Sequence, residues 1–203
     1  MADQAIVEDR FETLKGVAGV DQAFFDDKVI SGIVVLDYET MDALEKIHSI
    51  EEVDFPYIPT FLSFREGPAI VSAFRTLKNK PDLLMVDGCG INHPRRAGLA
   101  THVGVALDTP TIGVAKRLLC GVVKTPTKVD ECNPILLDGK HVGASLLSKS
   151  GCNPIYIAPG HRVSLRTTIK IVKHCLRGYK LPEPIRVAHE YVGRVSKRLN
   201  SGT

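Results

Sequence analysis

The sequence predicts an α/β domain with a central mixed β-sheet flanked by helices. Three stretches carry that reading. Two β-rich runs, residues 17–25 and 29–38, flank Asp26-Asp27-Lys28 and form a hairpin. Residues 82–116 read strand, helix, strand, and the chain closes in helices with an apolar stripe. No repeat, low-complexity tract or linker divides the 203 residues, so one domain spanning 1–203 is expected.

The elements follow in order. Residues 2–15 place Ile6, Phe11 and Leu14 among acids, which predicts a short N-terminal helix. The hairpin carries Asp21 in the middle of its first run. A carboxylate there either faces solvent by strand alternation or is buried against a partner or metal, since an unpaired buried charge is costly. Residues 40–53 are polar and acidic. In the next stretch Pro56 and Pro59 bracket Tyr57 and Ile58, which makes a stiff loop that displays an aromatic and a branched apolar side chain. Such side chains plug a core or act as wedges in a nucleic-acid stack. Ser63 and Glu66 have capping-box spacing and open a helix whose apolar face is Phe64, Ile70, Val71, Phe74 and Leu77, ended by Pro81.

An apolar strand at 82–87 ends on Asp87, and a small-residue helix runs from about 95 to 107. After Thr109-Pro110 comes a strand at 111–116 that ends on Lys116. Residues 118–134 are irregular and basic, 136–151 form a second hairpin, and 153–160 form a strand. Ser164 caps a helix with its stripe at Leu165, Ile169, Val172 and Leu176, just after His161. Residues 181–199 make a proline-led amphipathic helix.

Composition excludes several classes. The net charge of +3, from 26 Lys and Arg against 23 Asp and Glu, is too mild to indicate nucleic acid by itself, so any basic footprint is local. Five cysteines without a CxxC pair argue against a zinc ribbon or a disulfide framework. No apolar run is long enough to span a bilayer, and the acidic N-terminus has no apolar signal region. These features predict a cytoplasmic, monomeric protein with reduced thiols and no membrane partner.

The chemistry concentrates around Asp87. It ends a buried strand and meets Gly88, Gly90 and the run His93-Pro94-Arg95-Arg96, an arrangement suited to phosphate and a metal ion. Alone it also fits a plain strand, turn and basic helix start. Glu66 has the bland alternative of a capping acid, and His161 that of a solvated residue ahead of a helix cap. Asp21 and Asp87 lie on strands that could be neighbours, with Glu66 on a helix between them in sequence. Converging, they make a hard-oxygen site for Mg²⁺ or Mn²⁺, and Lys116 with nearby arginines suits phosphoryl transfer to water.

YIPTFLSFREGP, PDLLMVDGCGINHPRRAGLATHVGV, PTIGVAK, APGHRVSL and LPEPIRVAHEY, with VAGVDQAF upstream, resemble the endonuclease V family in that order across nearly the whole chain. The resemblance implies an RNase H-like fold. It also implies an Mg²⁺-dependent endonuclease, with Mn²⁺ as a substitute, that recognises deoxyinosine in DNA for repair. Such an enzyme cuts the second phosphodiester bond 3′ to the lesion and leaves 3′-hydroxyl and 5′-phosphate ends. It further implies Asp21 and Asp87 as metal ligands, Glu66 as the third acid, Lys116 on the phosphate, and His161 beside the metal or attacking water. Tyr57, Ile58 and Pro59 resemble the family's wedge. Thr60, Gly90, Gly98, Leu99 and Leu119 then wall the pocket for the extruded base, and His93 belongs to its floor and the nearby phosphate contacts. The family usually has Gly at Thr60, and often His at Cys89 and Ser at Arg117. Two other readings stand beside this one: an inosine-specific endoribonuclease, and a non-catalytic reader of deaminated bases.

Overall fold

A computed structural model describes residues 1–53, 55, 56, 58 and 60–201. The chain forms β1 (Gly16–Phe25), β2 (Lys28–Asp37), β3 (Ala43–Glu52), α1 (Leu62–Thr76), β4 (Leu83–Asp87), α2 (Leu99–Leu107) and β5 (Thr111–Ala115). Then follow β6 (Cys132–Leu137), β7 (Lys140–Leu146), β8 (Ile155–His161), α3 (Leu165–His174) and α4 (Glu183–Ser201). The strands make one mixed sheet in the order β3-β2-β1-β4-β5-β8-β7-β6. β1, β4 and β5 run parallel, and the other pairings are antiparallel.

Both faces of the central strands are covered, which explains why they read as continuous apolar runs. β4 shows the alternation. Leu83 and Met85 pack with Ile171, Val172, Ile185 and Ala188 of α3 and α4. Leu84 and Val86 face the other way, onto Ile70, Ala73 and Phe74 of α1 and Leu99, Ala100 and Val103 of α2. These four side chains are fully buried.

Helix α4 lies very close to β1 and β2 because glycines remove the intervening side chains. A Cβ at Gly19 would stand 1.8 Å from the Pro184 carbonyl oxygen, and one at Gly32 would stand 2.3 Å from Val192 Cγ2. The β6–β7 turn follows from its sequence: Asp138 and Gly139 both have positive φ, 51° and 71°, as the tight hairpin turn requires.

Four sequence expectations are corrected. Only Ala2–Gln4 is helical at the N-terminus, as a single 3₁₀ turn. The rest of that segment runs alongside the β8–α3 junction, where Arg162 N donates to Ile6 O at 2.6 Å and Arg10 N donates to Arg162 O at 3.2 Å. Apolar residues at Ile6, Phe11 and Leu14 are spaced well enough for a helix, but backbone pairing with Arg162 holds the segment extended. Residues 43–52, read as merely polar, form the edge strand β3, where inward Ile47 and Ser49 alternate with exposed Lys46, His48 and Ile50. The Ser63–Glu66 capping box does not form: Phe61 is the N-cap, without a side-chain cap, and Ser63 lies inside α1. The helix expected from about residue 95 begins at Leu99, because residues 95–98 turn, with Arg96 at φ 54° and Gly98 extended. The predicted Ser164 cap is present, its side chain accepting from Thr167 N.

Candidate active site

The parallel register of β1 and β4 builds the acidic centre. Val20 pairs with Val86, and the next residue on each strand is an aspartate, Asp21 and Asp87. Helix α1 brings Glu66 to the same edge of the sheet. Asp21 and Glu66 are only 7% and 9% exposed, unusual for carboxylates and therefore informative. Burial, then the Asp87 and Asp21 charges, push the Glu66 carboxyl up to about 7. Burial and then Asp87 raise Asp21 too, against the pull of His189 and Lys116. The three acids therefore feel one another as a cluster short of positive charge.

Two nitrogen side chains reach into this cluster. Lys116 Nζ, just past the end of β5, lies 2.5 Å from Asp87 Oδ2. His189 Nδ1, on α4, lies 2.8 Å from Asp21 Oδ2. Sequence reasoning missed His189. It looks like a solvent-side residue of an amphipathic helix, and only the close seating of α4 on Gly19 brings it to Asp21. Its signal was its place inside the motif LPEPIRVAHEY.

His161 is not brought to this centre. It pairs with Thr111, at the start of β5, whereas Asp87 pairs with Val114 three residues further along. His161 is 3% exposed, and its Nδ1 accepts from Ile6 N at 3.3 Å while Nε2 lies 3.5 Å from Asp108. It docks the N-terminal segment.

Among the described residues, no group of three His, Cys, Asp or Glu side chains is gathered closely enough to hold a metal ion. The donor chemistry nevertheless fits a hard cation. Asp21, Glu66 and Asp87 are all carboxylates, two are buried, and burial and mutual repulsion raise both of those in a way that a positive ion relieves.

A cavity of about 120 Å³ opens beside the acids. One wall is Thr60, Leu62 and Ser63, from the start of α1. The opposite wall and floor are Gly88, Cys89, His93, Ala97, Gly98 and Leu99, with Leu119 at the rim. Thr60, His93, Gly98, Leu99 and Leu119, named above from the resemblance, all line this one cavity. Gly90 is not among the lining residues: it backs the floor, its N–H on Asn92 Oδ1 at 2.9 Å. Burial pushes the Cys89 thiol up to about 12, so it faces the cavity neutral. Ile58 is 41% exposed, while Tyr57 and Pro59 lie outside the described residues. All five cysteines are free. Among the described residues no helix is long and apolar enough to cross a membrane.

A family model described as Endonuclease V matches residues 1–190. An Endonuclease V from Dictyoglomus thermophilum is 47% identical over 192 residues, covering 94% of this chain and 84% of its own length. The crystal structure of Endonuclease V from Streptomyces avermitilis is similar with a TM-score of 0.91 at 34% identity, over 98% of this chain and 90% of that one. Endonuclease V from Ciona intestinalis, in complex with a 24mer DNA containing an inosine followed by a ribo-adenosine, gives a TM-score of 0.86 at 28% identity, over 98% of this chain and 94% of that one. The RNase H-like sheet with flanking helices is the fold shared with these structures.

Proposed function

The chain belongs to the endonuclease V family of nucleases, and from that premise and its acid cluster we propose that it is a metal-dependent endonuclease acting on deoxyinosine in DNA. It would hydrolyse the second phosphodiester bond 3′ to the lesion. One turn of chain carries the reading: Asp87 ends β4 beside Asp21, and the next two residues, Gly88 and Cys89, already line the cavity. A base seated there leaves its own strand running past the carboxylates.

Asp21, Glu66 and Asp87 would hold Mg²⁺, or Mn²⁺ in its place, and the bound ion would supply charge neutralisation and an activated water. The chain's own groups do the rest. Lys116, poised on Asp87, offers its ammonium to the phosphate oxygens as charge grows there. His189 holds the Asp21 carboxylate in orientation, as a positioning residue. The apolar walls of the cavity take the extruded base, whose removal from the stack costs a few kcal/mol, least where pairing is weak. The water oxygen would bond to phosphorus as the P–O3′ bond breaks, with one water proton passing to the departing O3′, which leaves a 3′-hydroxyl and a 5′-phosphate.

The test is a cleavage assay on duplexes carrying one inosine, with and without Mg²⁺, with the cut position mapped. Asp87→Ala should lower nicking by about 10³-fold or more while leaving binding largely intact. A variant with full activity would remove Asp87 from the site. Tight inosine binding with no nicking in either metal would favour a non-catalytic reader. The ribo-adenosine after the inosine in the Ciona intestinalis complex favours keeping inosine in RNA as the second reading. Matched DNA and RNA oligomers decide between them.

A further inference from the structure

We infer that Arg95 is a positioning residue that sets the lip of the base pocket by latching Thr60 in a strained backbone conformation. The inference rests on the proposed function, in which this cavity takes the base. Eight described non-glycine residues have positive φ: four aspartates, two arginines, Met41 and Thr60. Thr60, at φ 69°, is the β-branched one. Branching at Cβ makes the left-handed region a genuine outlier, and such strain persists only where neighbours over-determine it.

What holds it comes from the segment between β4 and α2. Arg95 Nη2 donates to the Thr60 carbonyl oxygen at 2.6 Å and to Thr60 Oγ1 at 2.9 Å. The guanidinium also lies 4.0 Å above the Phe61 ring, at the N-cap of α1. The His93 ring buttresses the same loop, its Nδ1 accepting from Arg95 N at 3.2 Å. Thr60 belongs to one wall of the cavity and His93 to the other. The latch therefore ties the two walls together at the rim, and it does so without touching the acids. With Arg95 gone, Thr60 is free to relax towards negative φ, which takes the lip off the floor. The base then loses a wall while the hydrolytic centre stays intact.

A double-mutant cycle tests this. Arg95→Ala should raise KM for an inosine oligomer about tenfold, with kcat changed less than about threefold. The inosine-over-adenine ratio of Kd should fall by a similar factor. Arg95→Lys keeps the charge but lacks the planar fork and the stacking, so it should recover little of the loss. Glycine adopts positive φ without strain, so in a Thr60→Gly background the further loss of Arg95 should cost less than about threefold, whatever Thr60→Gly does alone. Equal cost in both backgrounds, with rescue by lysine, would make Arg95 a direct phosphate contact and overturn the latch. No cost in either background overturns it as well. Failure of the unmodified protein to prefer inosine over adenine would instead overturn the base-site reading, and the latch with it.

Discussion

Glu66 is a carboxyl kept near neutrality by burial and by two neighbouring acids, and this makes the cation-free protein sensitive to pH. The folded state holds this proton up to about 7, against an ordinary value of 4.5. Between those values the unfolded chain has lost a proton that the folded protein keeps, so stability from this group is full below 4.5 and is lost as pH rises through 7. Glu66→Gln has no proton to lose. In chelator, melting curves of the two proteins should diverge as pH rises, the variant gaining on the order of 3 kcal/mol by about pH 8. Parallel curves would mean that Glu66 is not held this way. The aspartates were legible in the sequence, Asp87 as an acid at a strand end and Asp21 as an acid within an apolar strand, but the depth of Asp21's burial was not. Glu66 was legible as an acid on a helix, yet its local spacing pointed to a cap; only the position of Phe61 as the N-cap frees it for the cluster.

At the scale of elements, the site depends on how closely α4 lies on the sheet. Gly19→Ala would drive a methyl group into the Pro184 carbonyl, so the helix must lift. Overpacking of this kind costs about 2 kcal/mol, a fall in Tm of about 4–8 °C for a domain of this size. The lift would also withdraw His189 from Asp21, so activity should fall about 10- to 100-fold in the protein that remains folded. Calorimetry together with single-turnover cleavage checks both effects. A variant with normal activity would show that the His189 contact is idle. Apolar runs and turn residues made the central strands, the 136–151 hairpin and the Ser164 cap readable. Strand β3 was not readable, because an edge strand needs only one half-buried row and its exposed row is Lys46, His48 and Ile50. His189 was hidden for a related reason: its partner lies 168 residues away, and nothing local marks the meeting.

For the whole molecule, the fold expected from the resemblance is the fold found, while the N-terminal segment departs from it. No α-helix forms there, because beyond the 3₁₀ turn its hydrogen bonds go to the β8–α3 junction. Asp9 accepts from Ser164 N at 2.7 Å and from Thr167 Oγ1 at 2.7 Å, and so joins Ser164 in capping α3. Asp9→Ala should therefore cost about 1 kcal/mol, or about 2–4 °C in Tm, measured by thermal melting, with cleavage unchanged because the acids lie elsewhere. An unchanged melting temperature would show that the strap adds nothing to stability.

The strap also gives the protein a timetable. A ribosome makes the first residues first, yet Ile6 and Asp9 find their partners only when residues 161–167 have emerged. β1 likewise waits for α4, its cover on one face. Contacts of such sequence separation are slow to close. The nascent chain must therefore keep Ile6 and Asp9 unattached until more than 150 further residues have been made.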